Sequence, residues 1–263
     1  MSRHNSPGDS QAYRQKRARF DYLLTLFGRK PVLEALRDDG IRPVRLHLAT
    51  SNRDSEELKE MRAIADRRGV EIVEHTRETL ARISKNGRQD QGVAVDIEAP
   101  GYLPVERLMA EPAVTQQLLA LDGVTNPQNL GMIIRTVAAS PMNGLIVPRR
   151  GGARIDGLVI KASAGTLFKC RIYHCDELAG TLEALHEIGY RIAGLDSRGS
   201  ELLQSLSADK PQVFVLGNET SGISPEVEAL CDTRVRIPLA NGVESLNVSI
   251  AAALVAFRST FLD

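Results

Sequence analysis

The chain has 263 residues, enough to bury two hydrophobic cores, and its 43% hydrophobic and 25% charged residues are the proportions of a folded protein rather than a disordered one. Thirty-three cationic and thirty-three anionic side chains cancel, which excludes the overall positive field of a protein that coats nucleic acid indiscriminately. No run of about 18 apolar residues is present to span a membrane, and three cysteines (Cys170, Cys175, Cys231) without a CxxC pair fit a reducing cytoplasm and argue against a zinc site.

Residues 1–19 carry Arg3, Arg14, Lys16, Arg17 and Arg19 against Asp9 and no core pattern. They read as a basic flexible arm, either a solvated tail or one that clings to phosphates, and no apolar run follows that would make a signal peptide. Residues 20–98 then alternate short helices and strands as a small α/β unit. GRKPVLEALRD is a predicted helix with Pro31 in its first turn, VRLHLA a strand, and SEELKEMRAIADRRG an amphipathic helix closed by Gly69; VEIVE and GVAVDI add strands. The five histidines (His4, His47, His75, His174, His186) are scattered singly and read as surface or packed residues rather than ligands.

Residues 99–117 hold Pro100, Pro104 and Pro112 with little alternation, the pattern of a linker with about one helical turn. A second alternation fills residues 118–263: LLALDGV strand, PQNLGMIIRTVAA helix, GLIVP strand, IDGLVIKASAG helix, RIYHC strand, ELAGTLEALHEIG helix, RIAGLD and QVFVLG strands, SPEVEALC helix, RVRIP strand and the apolar helix SLNVSIAAALVAFRSTFL. Strands such as VFVLG are apolar on both faces, as expected where helices cover both sides of a mostly parallel sheet.

In such a sheet ligands sit beyond the carboxyl ends of the strands. Three loops there, DGVTNPQNLG, VLGNETSG and PLANGVESLN, combine Gly with Asn, Ser or Thr. No GxGxxG follows the first strand and no GxxxxGK[ST] occurs, so neither a dinucleotide crevice nor a phosphate-cradling loop is indicated. Asn126 or Asn129 can be a helix cap, Ser245 and Asn247 stand in the same position before VSIAAALVAF, and Glu219 can belong to a turn. Arg135 lies six residues after Asn129 inside an otherwise apolar helix, where a buried charge would need a partner.

Taken together, residues 118–258 resemble the SpoU (TrmH) family of RNA ribose 2′-O-methyltransferases, part of the SPOUT class. The resemblance rests on NPQNLGMIIRT, VLGNETSGIS and IPLANGVESLNVSIAAALVAF in this order, with KASAG between the first two. It implies a deep trefoil knot and S-adenosylmethionine as cofactor. By the same resemblance Leu216, Gly217, Asn218, Ile237, Leu239, Leu246 and Asn247 would line the cofactor pocket, with main-chain groups reading the adenine edge and aliphatic side chains covering its faces.

The catalytic group implied is Arg135, with Asn129, Glu219, Ser245 and Asn247 around it. The reaction would be an in-line displacement by a ribose 2′-hydroxyl on the sulfonium methyl, which needs alignment and removal of a proton. A guanidinium is a poor base, so Arg135 is expected to clamp the neighbouring phosphate and lower the hydroxyl's proton affinity, the proton leaving to phosphate, water or a partly neutral Arg135. One departure from the family stands in Val137-Ala138-Ala139-Ser140-Pro141, where an Ala-Asp-Ala-like run ending in Gly is usual and Pro141 should stop the helix.

FGRKPVLEAL and DQGVAVDI resemble the RNA-binding domain, similar to a ribosomal-protein fold that binds kinked RNA, that precedes the knotted domain in ribosomal-RNA members. That implies 23S rRNA as substrate, with the same chemistry on tRNA, or a non-catalytic RNA-binding ribosome assembly factor, as alternatives. A homodimer through the knotted domain is implied, with the active site at or near its interface; neither membrane nor DNA is an expected partner. Arg149, Arg150 and Arg154 are further phosphate candidates, or simply a solvated charged loop.

Overall fold

The computed structural model describes residues 23–98, 102–110, 115–155 and 157–260; the basic arm read from residues 1–19 lies outside the described residues. Contacts divide the chain into two compact units between Ala99 and Pro100.

In the first unit β1 (Leu23–Phe27), α1 (Arg29–Arg37), β2 (Arg42–Ala49), α2 (Glu56–Arg68), β3 (Glu71–His75), α3 (Arg77–Ser84) and β4 (Val93–Glu98) follow one another. The sheet order is β1-β4-β2-β3, with β4 antiparallel to β1 and β2, and β3 parallel to β2. Local chemistry sets the helix ends. Ser55 caps α2 by accepting from the Leu58 N–H, and Gly69 (φ 65) ends it in the left-handed conformation that glycine adopts at no steric cost. Leu26, Val32, Leu36, Leu46, Leu48, Met61 and Ile97 fill the core, and Leu80 of α3 closes a smaller cluster with Phe27, Ala49 and Ala94.

A buried polar chain crosses this sheet. Thr25 Oγ1 donates to Asp96 Oδ1 (2.7 Å), His47 Nε2 meets Asp96 Oδ2 (3.0 Å), and His47 Nδ1 meets His75 Nε2 (2.9 Å). Burial works to raise the Asp96 pKa, but the hydrogen bonds from His47 and Thr25 and the charge of His47 and Arg45 outweigh it and hold it below the ordinary carboxylate value. Burial, then His47, then Arg45, depress His75. Both shifts make the unfolded chain the better proton binder. Stability is therefore full above about pH 6.5, falls as pH drops from there through the folded value of His75, and falls again below about pH 4 through that of Asp96. The thermal midpoint should be lower at pH 5 than at pH 7, and His75→Gln should flatten that slope; an unchanged slope would show that His75 is not its source.

In the second unit the order is β5 (Tyr102–Pro104), α4 (Val105–Ala110), β6 (Gln117–Leu121), α5 (Pro127–Ala139), β7 (Gly144–Pro148), α6 (Gly157–Ala162), a 3-10 turn (Thr166–Lys169), β8 (Ile172–Cys175), α7 (Leu178–Glu187), β9 (Arg191–Leu195), β10 (Glu201–Leu202), β11 (Gln212–Leu216), α8 (Pro225–Glu228), β12 (Thr233–Arg236) and α9 (Val248–Ala256). The sheet runs β10-β12-β9-β11-β6-β7-β8-β5, and every pairing is parallel. β7 and β11 are buried along their whole length, the consequence of helices on both faces. No helix among the described residues is long and apolar enough to cross a membrane.

Three elements differ from the sequence reading. Part of the expected linker forms β5 and α4, which belong to the second unit; β5 is an edge strand on β8, where a proline is tolerated because it withholds no ladder donor from a second neighbour. The IDGLVIKASAG helix stops at Ala162, since Ala164 (φ 50) and Gly165 (φ 76) turn left-handed. The last helix is α9 alone, from Val248 to Ala256, and the following Arg258 is buried with its guanidinium on the Leu206 carbonyl (2.9 Å) and Gln117 Oε1 (2.8 Å) and over the Phe214 ring.

β12 lies between β9 and β10, which are consecutive in the chain. The link joining them must therefore cross β12, and it does so at Gly199, where a Cβ would stand 2.7 Å from the Val235 carbonyl carbon. Only glycine fits that crossing.

Candidate active site

Because the strands are parallel, the loops leaving β6, β9, β11 and β12 collect on one edge of the sheet. Asn126 caps α5, its Oδ1 accepting from the N–H groups of Gln128 (2.8 Å) and Asn129 (3.4 Å), and Pro127 stands at the first helical position. Asn129 is thus freed from capping. It is buried inside the first turn and donates from Nδ2 to Glu219 Oε1 (2.5 Å).

Asn247 does two tasks, one local and one across the sheet edge. It caps α9, Oδ1 accepting from Ser249 N–H (2.9 Å) and Oγ–H (2.6 Å), and its Nδ2 donates to Asn129 Oδ1 (3.2 Å). The polarity of the chain is fixed throughout: the Glu219 carboxylate can only accept, so Asn129 must turn its amide NH₂ there and its oxygen toward Asn247. Three segments far apart in sequence are locked together by this chain.

The loop after β11 is a tight turn. Asn218 and Gly222 exchange backbone hydrogen bonds (2.9 Å each way), and Asn218 Oδ1 accepts from Thr220 and Ser221. Asn218 Nδ2 donates to the Gly123 carbonyl (2.7 Å) and Asp122 Oδ2 accepts from Ser224 N–H (2.6 Å), which ties this turn to the loop after β6. Gly217 allows it: a Cβ there would stand 2.2 Å from the Gly222 carbonyl carbon and 2.3 Å from the Ile223 nitrogen.

Leu216 is buried, and Gly217, Asn218, Ile237, Leu239 and Leu246 are half-buried. From Ile237 to Leu246 one backbone hydrogen bond, Val243 N–H to the Ala240 carbonyl, is formed among the described residues. A loop with its main-chain donors and acceptors unspent beside aliphatic side chains suits a flat heteroaromatic ligand, whose edge needs hydrogen bonds and whose faces do not.

Two expected residues stand apart. Arg135 is not buried within an apolar face: it is exposed on α5 and makes no hydrogen bond or ion pair among the described residues. Leu130, Ile133, Ile134 and Val137 form the core stripe of α5, and Met132 and Arg135 fall on the other side. Ser245 is also exposed and outside the hydrogen-bonded chain. Arg149 and Arg150 face Asp176 and Glu177 at 3.8 Å, and Arg154 is exposed.

Residues 116–257 match the SpoU rRNA Methylase family. The chain belongs to that family. Residues 25–103 match a second family, RNA 2′-O ribose methyltransferase substrate binding. The SpoU member is 35% identical over 233 residues to a tRNA/rRNA methyltransferase of Mycolicibacterium vanbaalenii, covering 88% of this chain and 74% of that one. Against an RNA methyltransferase of the TrmH family from Porphyromonas gingivalis the TM-score is 0.63 at 28% identity, over 95% of this chain and 92% of that one. The SpoU methyltransferase AviRb from Streptomyces viridochromogenes, in complex with AdoMet, shares the fold with a TM-score of 0.65 at 24% identity, over 94% and 92% of the two chains. The protein is an RNA methyltransferase of the SpoU family.

Sequence reasoning passed over the loop Asp196–Gly199 after β9. The strand order sets it between the loops of β11 and β12, on the same edge as Gly217 and Ile237. Its signal, the turn-like DSRGS, is common to many surface loops and says nothing of that neighbourhood. Asp122 was equally invisible, being tied to the site by a contact that only the fold creates.

Proposed function

We propose that this protein transfers a methyl group from S-adenosylmethionine to a ribose 2′-hydroxyl of large-subunit (23S) rRNA, as a cytoplasmic homodimer with a knotted second unit. The observation that carries the reading is the convergence of Asn129, Glu219 and Asn247 from three segments onto one hydrogen-bonded chain, beside a loop whose backbone groups are unspent. The crossing of β12 by the Gly199 link supports the knot.

The residues present fit the cofactor. Leu216, Gly217, Asn218, Ile237, Leu239 and Leu246 would hold it by main-chain hydrogen bonds and aliphatic contact, and the Asp196–Gly199 loop would close one side. When bound it supplies a methyl group on a sulfonium centre. Asn129 and Asn247 keep α5 at a fixed position against that pocket, and Glu219 anchors their chain. Arg135, projecting from the same helix, presents two parallel N–H donors to the phosphate beside the target ribose, which aligns the hydroxyl and stabilises negative charge as its proton leaves to phosphate or water. Ser245 is a further contact to the ribose or its phosphate from the loop before α9.

An exposed apolar face supports the dimer. Met132 of α5 and Ile250 and Leu254 of α9 are 41%, 52% and 44% exposed, and Met132 lies against Ser249, so the two helices present one surface with Arg135 on its margin. A second copy would cover it.

Methyl transfer from labelled S-adenosylmethionine to RNA from a strain lacking this gene, separated into rRNA and tRNA, tests the function. Label in large-subunit rRNA that survives alkaline hydrolysis as a resistant dinucleotide is expected. Label in tRNA would move the substrate and keep the chemistry, alkali-labile label would overturn the ribose assignment, and no label anywhere would favour a non-catalytic RNA-binding assembly factor.

A further inference from the structure

The described residues of the first unit carry fourteen cationic and fourteen anionic side chains, so the unit is neutral, yet its charges are separated in space. Arg37, Arg42, Arg45, Lys59 and Arg62 are each held by a glutamate at 2.7–3.2 Å. Lys30, Arg53, Arg77, Arg82, Lys85 and Arg88 are exposed and have no anionic partner among the described residues.

The topology brings these free cations together. β1, β2 and β3 run the same way and β4 runs against them, so the ends of the first three and the start of the fourth share one edge. Lys30 follows β1, Arg53 follows β2, Arg77 follows β3, and Lys85 and Arg88 precede β4, with Arg82 in the helix between. Against them stand Asp54, Glu56, Glu57 and Glu78, of which Glu57 is paired with Arg29 and Glu56 with Lys59; Asp90 is buried and already accepts from the Gly92 N–H and the Ser84 hydroxyl. The opposite edge reverses the balance, with Asp38, Asp39 and Asp66 against Arg67 and Arg68, the latter spent on the Leu36, Asp38 and Ile41 carbonyls.

The cationic edge is also fastened. Gly28 (φ 90), Lys85 (φ 55), Gln91 (φ 53) and Gly92 (φ 78) all lie on it, and two of them are non-glycine residues in the left-handed region. Such strain persists only where surrounding bonds over-determine it. Here Asn52 Nδ2 donates to the Gly92 carbonyl (2.8 Å) and the Arg29 N–H donates to Gln91 Oε1 (2.9 Å), joining the three loops. Cations on fixed loops are spared part of the ordering cost that a mobile tail incurs on binding.

We propose that this edge of the first unit holds the phosphate backbone of the RNA substrate, through Lys30, Arg53, Arg77, Arg82, Lys85 and Arg88. The proposal rests on the RNA methyltransferase reading and adds where the first unit grips the RNA. Its contacts are electrostatic, because a sheet edge that exposes cations and no Phe, Tyr or Trp among the described residues offers no platform for base stacking.

The test uses the full chain, with unmodified 23S rRNA and bulk tRNA as probes, titrated between about 50 and 200 mM salt. Lys85→Gln/Arg88→Gln should weaken binding by about ten-fold or more and lower the salt slope by about 1.5, at roughly 0.7–0.9 per lost phosphate contact. Arg42→Gln/Arg67→Gln, removing the same charge from the opposite edge, should change neither. Calorimetric binding of S-adenosylmethionine, unaltered in both variants, shows that the second unit is intact. Equal losses in the two variants, or none in the first, would overturn the proposal while wild-type RNA binding stands; a wild-type chain that binds S-adenosylmethionine and neither RNA would overturn the RNA reading itself.

Discussion

Arg135→Ala is expected to reduce methyl transfer by a factor on the order of 10²–10³, the usual cost of removing one preorganised charge-stabilising donor, with S-adenosylmethionine affinity and thermal midpoint unchanged. The separation follows from where the residue sits. Arg135 is exposed, has no partner among the described residues and lies off the core stripe of α5, so its loss leaves no cavity and no orphaned group. Asn129 on the same helix is the opposite case: buried and bonded at both ends of its amide, it holds the helix in place, and its removal should lower stability as well as rate. Arg135→Lys separates charge from shape. It keeps the positive charge and loses the planar pair of donors, so a rate well below wild type is expected. Near-full activity in the lysine variant would sink the phosphate clamp, and near-full activity in the alanine variant would remove Arg135 from the reaction.

The residues of the candidate site could be picked out because they stand in three short stretches, while their arrangement could not. Asn247 shows why. As a cap it needs only its own helix, and as a link to Asn129 it needs a partner 118 positions away, so local chemistry reveals the first task and hides the second. Asn126 and Asn129 divide what looked like one ambiguity, the exposed residue capping and the buried one bonding across the sheet edge. The exposure of Arg135 was within reach of the sequence, because Leu130, Ile133, Ile134 and Val137 already satisfy the helical period and leave no room for Arg135 on that face. The strand order was out of reach. β12 inserts between two consecutive strands, against the tendency of chain neighbours to pair, and nothing in RVRIP announces it. β5 was hidden by prolines that an edge strand tolerates, while α4 is the one helical turn the segment was expected to hold.

Gly217→Ala should cost at least about ten-fold in S-adenosylmethionine affinity and about 1–3 kcal/mol in stability, the range for forcing atoms into a filled space. The added methyl would meet the Gly222 carbonyl carbon at 2.2 Å and the Ile223 nitrogen at 2.3 Å. Both are backbone atoms of the turn that faces it, so no side chain can swing aside. The turn must open, and the Asn218–Gly222 bonds, the Asn218 bond to Gly123 and the Glu219 bond to Asn129 go with it. Gly222 supplies the control. Its φ is 72 but nothing lies within 4 Å of its Cβ position, so Gly222→Ala should cost only the roughly 1–2 kcal/mol of a left-handed non-glycine residue. Calorimetric titration and thermal unfolding of the two variants decide the matter, and a Gly217→Ala chain that binds the cofactor like wild type would refute the packing argument. The same lesion tests the proposed dimer. Arg135 sits on the margin of the exposed face of α5 and α9, where a second copy would place it against the other chain's loops. If it serves the partner's pocket, mixing Arg135→Ala with Gly217→Ala chains, at S-adenosylmethionine too dilute to fill the Gly217→Ala pocket, restores one intact site in each mixed dimer, about one quarter of wild-type activity after random exchange in a two-fold assembly. If it serves its own chain, every site in the mixture keeps one lesion and no activity returns.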